Sequence, residues 1–232
     1  MTSNVHIVIP VYNNWAMCHE LLWKLQKIEG KNISSIHLIN DCSTDDEVIG
    51  GMKWWASSYG SKFPIYFINN SENMGFLRTA NYGMQMVAGF DSTKDTDIII
   101  LLSTDVNTSY PFIQQIKDLI EYNPESLVGG VLYSHDTGWN KFGSRLFPYL
   151  EGWLLAAQVK TWEFLEYFDE QFSPCDYEDL DLSTKAIEAG RHLAPLNNPG
   201  IFHLGGRSIG YSLEREARTK INQEKFKNKW IK

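Results

Sequence analysis

Glu178, Asp179 and Asp181 crowd into one short stretch, with Phe168-Asp169-Glu170 shortly before them, where the pattern marks a helix start. Carboxylates there are held ionised, because the positive end of the helix dipole stabilises them and unpaired backbone N–H groups donate to their oxygens. An ionised Asp aimed into a cleft is a general base, whereas an acid turned to solvent only caps the helix. Four polar segments upstream carry further chemistry: Pro10-Val11-Tyr12-Asn13-Asn14, Asn40-Asp41-Cys42-Ser43-Thr44-Asp45-Asp46, Asn69-Asn70-Ser71-Glu72-Asn73-Met74-Gly75, and Ser103-Thr104-Asp105-Val106-Asn107. A buried Asp among them can accept from a nucleobase N–H, Gly75 permits close backbone approach, and Arg78 offers a fork to phosphate. Asx and hydroxyl residues at such places also serve as turn formers and helix caps.

Each polar segment follows a short apolar run: Val5-His6-Ile7-Val8-Ile9, Ile36-His37-Leu38-Ile39, Ile65-Tyr66-Phe67-Ile68 and Ile98-Ile99-Ile100-Leu101-Leu102. Amphipathic stretches at 15–29, 48–59, 76–89 and 111–122 separate or follow these runs. The alternation predicts an α/β fold, a Rossmann-like, mostly parallel sheet with helices on both faces. Ligands of such sheets bind beyond the carboxyl ends of the strands, the edge at which all four polar segments gather. Leu21, Leu22, Leu25 and Ile28 form an apolar stripe for the core, with Trp15 and Trp23 beside it.

The alternation fades after about Val131, so one domain is expected with a nucleotide-type half over 1–130 and an irregular, aromatic-rich acceptor half over 131–212. Most aromatics of that half are expected in the core. Trp139 and Trp153, each beside a glycine, are the ones expected to face a sugar. From 213 to 232 the charge reverses into a basic amphipathic helix, with Leu213, Ala217 and Ile221 in one apolar row and Phe226 and Trp230 in another. Such a helix suits an anionic membrane surface, or packs back on its own domain.

With 43% hydrophobic and 21% charged residues the chain can fill a substantial core, and its net charge of -7 argues against a general nucleic-acid binder. The apolar runs are far shorter than the ~20 residues of a bilayer crossing. Met1-Thr2-Ser3-Asn4 lacks the basic start of a signal peptide, so a soluble, cytoplasmic protein is expected, peripheral at a membrane if the terminal helix engages one. Cys18, Cys42 and Cys175 have neither disulfide nor zinc spacing and read as reduced thiols.

From Val5 to about Ser208 the ordered motifs resemble those of family 2 glycosyltransferases with the GT-A fold. They are Val8-Ile9-Pro10-Val11-Tyr12-Asn13, Asn40-Asp41-Cys42-Ser43-Thr44-Asp45, Asn73-Met74-Gly75 with Asn81-Tyr82-Gly83, Leu101-Leu102-Ser103-Thr104-Asp105, Phe168-Asp169-Glu170, Glu178-Asp179-Leu180-Asp181-Leu182, and His203-Leu204-Gly205-Gly206-Arg207-Ser208. The resemblance implies inverting transfer of a hexosyl or deoxyhexosyl group from a nucleotide-diphosphate sugar to a hydroxyl of a glycan or lipid-linked acceptor, as in polysaccharide biosynthesis. It assigns the base to Asp41, with Pro10, Tyr12, Asn73, Gly75, Arg78 and Thr104 around the nucleotide. Asp105 and His203 would hold Mn²⁺ or Mg²⁺, supplemented by Arg207 or Arg78, although Ser103 stands where the family's metal motif has its first Asp. By the same resemblance Asp179 is the general base, acting near the ordinary Asp pKa of about 3.9. Glu178 would bond the acceptor or donor sugar, and Asp169 and Asp181 would be structural. UDP and dTDP sugars are the favoured donors, since both bases present an imide N–H to Asp41.

Two other classes are weighed against this reading. A catalytically silent carbohydrate-binding or scaffold protein with a degenerate GT-A fold would explain Ser103. A sugar-nucleotide pyrophosphorylase needs a Gly-rich, basic phosphate loop after the first strand, which residues 10–14 are not, and no GxxxxGK[ST] sequence occurs for P-loop chemistry.

Overall fold

The computed structural model describes residues 3–57, 62–205 and 212–231. The expected Gly206, Arg207 and Ser208 of the last motif, the end of the 48–59 helix and Lys232 lie outside the described residues. In chain order the elements begin β1 (Val5–Val11), α1 (Trp15–Glu29), β2 (Ser35–Asn40), α2 (Asp46–Ala56), β3 (Ile65–Asn69) and α3 (Phe76–Ala88). They continue with β4 (Ile98–Leu102), β5 (Val106–Thr108), α4 (Ile113–Tyr122) and β6 (Leu127–Gly129), then four two-residue strands, β7 (Leu132–Tyr133), β8 (Lys141–Phe142), β9 (Arg145–Leu146) and β10 (Tyr149–Leu150). Next come β11 (Leu154–Gln158), α5 (Val159–Phe164), α6 (Glu178–Glu188), β12 (Leu193–Pro195), β13 (Ile201–His203) and α7 (Leu213–Trp230).

The central sheet runs β12-β6-β11-β4-β1-β2-β3, and its pairings are parallel except the two that β11 makes with β4 and β6. Alternate strand residues face opposite layers. Ile7, Ile9, Ile36, Leu38, Ile100 and Leu102 pack with α1, α2 and α4, while Val8, Ile39, Ile99 and Leu101 pack with α3, α6 and Phe226 of α7. The sequence did not reveal β11. Leu154-Leu155-Ala156-Ala157-Gln158 is buried on both faces, so it reads as an unbroken small-apolar run without the period of a strand. It brings part of the chain beyond Val131 into the centre of the same sheet. Trp23, expected beside the apolar stripe of α1, stays 47% exposed.

Two buried polar ties set the helices. Glu29, 1% exposed at the end of α1, accepts from Phe112 N–H and, at 3.0 Å, from Ile113 N–H, satisfying the first donors of α4. Helix α7 docks through Phe226, fully buried, and through Asn222, whose amide faces the carbonyls of Phe172, Cys175 and Asp176 at 2.9–3.0 Å. Lys229 bridges Asp169 at 2.7 Å and Asp181 at 2.9 Å, and Trp230 donates its indole N–H to Asp181 at 2.7 Å. The Phe226/Trp230 row therefore belongs to the domain's own packing, the second of the two arrangements expected for this helix. Leu213 and Ile221 of the other row remain exposed. No helix among the described residues is long and apolar enough to cross a membrane. Replacing Glu29 by Ala strands the α4 donors, and chemical denaturation should show a loss of about 2–4 kcal/mol.

Candidate active site

A cavity of about 1010 Å³ opens beyond the carboxyl ends of β1, β2 and β4. Pro10, Tyr12, Asp41, Asn73, Gly75, Thr104, Asp105, Trp139, Trp153, Glu178, Asp179 and His203 all line it. Arg78 does not. Its guanidinium is turned to Glu170, with Nε at 3.4 Å from the carboxylate. The expected phosphate fork is thereby withdrawn from the site.

At the β2 end, Asp41 is 3% exposed and organises the loop before α3. Its Oδ1 accepts from Met74 N–H (2.7 Å), the Thr79 hydroxyl (2.7 Å) and Asn70 Nδ2 (3.3 Å), and its Oδ2 from Gly75 N–H (2.9 Å). Gly75 has φ +82°, and a Cβ there would stand 2.4 Å from the Pro174 ring, so both backbone and space demand glycine. Asn40 accepts from Ser43 N–H at 3.0 Å and donates to Asn69 Oδ1 at 3.0 Å and so braces the loop.

Beyond β4, Ser103 donates its hydroxyl to Asp105 Oδ1 at 2.6 Å, and His203 Nε2 meets the same oxygen at 3.0 Å. Strands β5 and β13 pair antiparallel, with His203 opposite Val106, and this pairing brings the two side chains together. The His203 ring stacks on Trp153, centroids 5.8 Å apart and 15° from parallel. Its Nδ1 faces Glu151 at 3.8 Å, while Glu151 also accepts from Trp153 Nε1 at 2.9 Å and Tyr133 OH at 3.4 Å. Burial alone would lower the His203 pKa, but the hydrogen bonds and charges of Asp105 and Glu151 overcome it and raise it to about 9. Trp153, expected at the acceptor, is 4% exposed and instead backs this imidazole. Trp139 is 56% exposed at the cleft.

Asp105 Oδ1 and His203 Nε2 have the separation of neighbouring donors around an octahedral ion with bonds of about 2.1 Å. Glu151 behind Nδ1 completes a carboxylate–histidine arrangement that directs Nε2 outward. Among the described residues no group of three or more His, Cys, Asp or Glu side chains suited to a metal forms. The pair fits a cation only with further oxygens from its ligand.

On the opposite wall, Asp176 and Tyr177 both adopt φ near +77°, a costly left-handed turn for residues with a Cβ, and launch α6 with Glu178 and Asp179 against the cleft. Burial raises Asp179 to about 7; the N–H groups of Leu180 (2.7 Å) and Gly152 (3.1 Å) pull it down, while Glu151 and Asp176 push it up. This replaces the expected ordinary Asp pKa, and the reason is tertiary: Gly152 at the mouth of β11 lets the acid pack close, its would-be Cβ lying 3.3 Å from that of Asp179. Glu178 is 7% exposed, and its Oε2 has no hydrogen-bond partner among the described residues. Burial and then the charge of Asp179 hold it well above the usual carboxylate range.

Sequence reasoning missed Glu151, Tyr133, Asp176 and the first turns of α7. Arg215 pairs with Asp176 at 2.7 Å, and Ser212, Leu213, Glu216, Thr219 and Lys220 also line the cleft. Only Glu151-Gly152-Trp153 offered a signal, a glycine between an acid and an indole. In metal-free protein, Glu151→Gln removes a charge that holds the proton on His203, and NMR titration of its imidazole should show a midpoint below the wild-type value.

The family model for Glycosyl transferase family 2 matches residues 6–178. No curated protein matches the chain in the same manner. Among solved structures, GalNAc-T7 with UDP, GalNAc and Mn²⁺ superposes with a TM-score of 0.66 at 13% identity, over 82% of this chain and 42% of that one. The mannosyltransferase PcManGT from Pyrobaculum calidifontis, in complex with GDP-Man and Mn²⁺, gives 0.61 at 16% identity over 84% and 55%. S. aureus TarS 1-349 with UDP-GlcNAc gives 0.55 at 16% identity over 79% and 53%. The chain thus spans about half the length of these proteins or less, and what they share with it is the GT-A fold.

Proposed function

The chain belongs to glycosyl transferase family 2, and on that premise we propose that its cleft moves a sugar from a nucleotide diphosphate to an acceptor hydroxyl with inversion at the anomeric carbon. The observation that carries this reading is the presence, in one cavity, of an acid with a pKa of about 7 and of the Asp105–His203 pair. Asp179 takes the proton of the acceptor hydroxyl as its oxygen bonds the anomeric carbon. The bond from that carbon to the diphosphate breaks on the opposite face, and the diphosphate leaves with the electron pair. A carboxyl with a pKa near the working pH is well matched to that transfer. Glu178, on the same wall, hydrogen-bonds the acceptor or donor sugar. Asp105 and His203 would hold Mn²⁺ or Mg²⁺, which when bound neutralises charge on the leaving diphosphate. Ser103 fixes the Asp105 rotamer, so the missing first Asp of the metal motif leaves the essential acid in place, and the silent-scaffold reading gains no support from it.

For the nucleotide we favour UDP or dTDP. Three donors occupy Asp41 Oδ1 and one occupies Oδ2, which leaves room for a single base N–H at one oxygen. The imide of uracil or thymine supplies one; guanine presents two adjacent donors that want both oxygens. Tyr12, 45% exposed at the same end, offers a ring to the base. Trp139 and the stacked Tyr133–Tyr149 pair, 5.1 Å apart, suit the C–H faces of a glycan or lipid-linked acceptor. Leu213 and Ile221 are the apolar side chains that α7 keeps for a membrane-borne acceptor.

Calorimetric titration with UDP, dTDP and GDP, each with and without Mn²⁺, should show Mn²⁺-dependent binding of a pyrimidine nucleotide; binding of GDP alone would sink the assignment of Asp41. Asp179→Asn should lower turnover by about 10²–10⁴-fold with nucleotide affinity nearly kept, whereas Asp105→Ala should lose the Mn²⁺-dependent part of that affinity. Because the base works ionised, kcat/KM should rise with pH up to about 7 and then level off; a profile flat from pH 5 to 8 would remove Asp179 from the role.

A further inference from the structure

Arg215, Thr219, Asn222 and Phe226 fall four, three and four residues apart along α7, which puts them on one face of the helix. All four meet the same short stretch before α6. The Arg215 guanidinium forks onto Asp176, at 2.7 Å from Oδ1 and, through Nε, at 3.2 Å from Oδ2, and Thr219 Oγ1 stands 2.8 Å from Oδ2. Asn222, with no exposed surface, turns its amide to the Asp176 carbonyl at 3.0 Å and to those of Phe172 and Cys175. Phe226 packs on the Tyr177 ring, centroids 5.8 Å apart. Asp176 and Tyr177 are successive left-handed residues, φ +76° and +77°, a pair that persists only where its surroundings over-determine it.

We propose that Arg215, Thr219 and Asn222 are positioning residues: by clamping Asp176 they hold the left-handed turn, and the turn aims Asp179 into the cleft. This role rests on the reading of Asp179 as the base. Asp179 follows the turn by two residues, and its place leaves little tolerance. Its Oδ2 accepts from Gly152 N–H at 3.1 Å, and a Cβ on Gly152 would lie 3.3 Å from the Asp179 Cβ. A turn that relaxes carries the start of α6 with it, and misplacing a reacting group by about 1 Å costs on the order of 10²-fold in rate. The clamp also acts through charge. Burial would raise Asp176, but Arg215 and Thr219, with Arg218 beyond, hold it below the ordinary range. Facing Asp179 are Glu178 and this Asp176 from its own wall, Glu151 from the segment before β11, and the phenols of Tyr133, Tyr149 and Tyr177. Arg215 thus screens one of the anions that face the base.

The test is carboxyl NMR titration of the full chain labelled with ¹³C in Asp and Glu, the Asp179 signal being assigned by its loss in Asp179→Asn. Arg215→Gln uncovers the Asp176 charge and should move the Asp179 midpoint up by about 0.5 pH unit or more, whereas Asp176→Asn should move it down. In the Asp176→Asn background, Arg215→Gln should lose most of its effect. Thr219→Val, which keeps the guanidinium, should give a smaller upward shift and displace the Gly152 amide signal, and it decides the matter if Arg215→Gln does not fold. Unchanged amide signals of Gly30 and Gly89, which do not line the cleft, show an intact fold. Asp179 midpoints unmoved by Arg215→Gln and Thr219→Val, or an Arg215→Gln effect undiminished by Asp176→Asn, overturn the proposal. These readouts need no turnover, so absence of transfer or hydrolysis of UDP-glucose and UDP-GlcNAc by the wild type counts against the reaction proposed for the cleft and not against the clamp. In that assay Arg215→Gln should lower kcat about tenfold or more, and Arg215→Lys should recover part of the loss.

Discussion

Crowding of negative charge at the start of α6 is the constraint on which the remaining architecture depends. Asp169, Asp176, Glu178, Asp179 and Asp181 cannot all be ionised side by side in a half-buried wall without compensation. The chain compensates three of them from α7. Burial would raise Asp169 and Asp176, but Lys229 on the first and Arg215 with Thr219 on the second hold them below the ordinary range. Asp181, with no exposed surface, shares Lys229 and takes the Trp230 N–H. Burial raises the pKa of both Glu178 and Asp179, and the charge of Arg215 offsets this only in part for Glu178. One acidic cluster is thus divided into acids anchored to α7 and a pair whose pKa burial raises, and that division separates structure from chemistry.

The opposite wall solves a related problem with hydrogen bonds. Asp41 lies in the wall without a cation and is kept by two backbone N–H groups, a hydroxyl and an amide, so the loop from Met74 to Gly75 and the start of α3 are fixed to the end of β2. Asp105 is kept by Ser103 and His203, and His203 by Trp153 and Glu151. In each case a polar group beyond the cleft sets the orientation of the one that faces it, which is what rigid presentation to a ligand requires.

Helix α7 serves two ends of this arrangement. Its second half supplies Lys229 and the Phe226 plug that hold α6 in place, and its first half supplies Arg215 to Asp176 and forms part of the cleft's rim. The basic amphipathic segment, which could rest on a membrane or pack back on its domain, is a component of the domain core, and its exposed apolar surface reduces mainly to Leu213 and Ile221.

Much of the fold was legible in the sequence because local patterns suffice for it. Apolar runs alternating with amphipathic stretches specify the strands β1 to β4 and the helices α1 to α4, and the polar segments after those strands must meet at one edge of a parallel sheet. The positions of Asp41 and Asp105 on the cleft follow from that same logic, whereas Asp179 was placed by the family resemblance and its helix-start pattern. What only tertiary structure decided are relations between distant segments. The insertion of β11 sets Glu151 behind His203 and Gly152 against Asp179; the turning of Arg78 to Glu170 removes a cation from the cleft; and α7 chooses which acids are neutralised. These outcomes rest on burial and through-space charge, which act between residues far apart in the chain and leave no period or spacing to read.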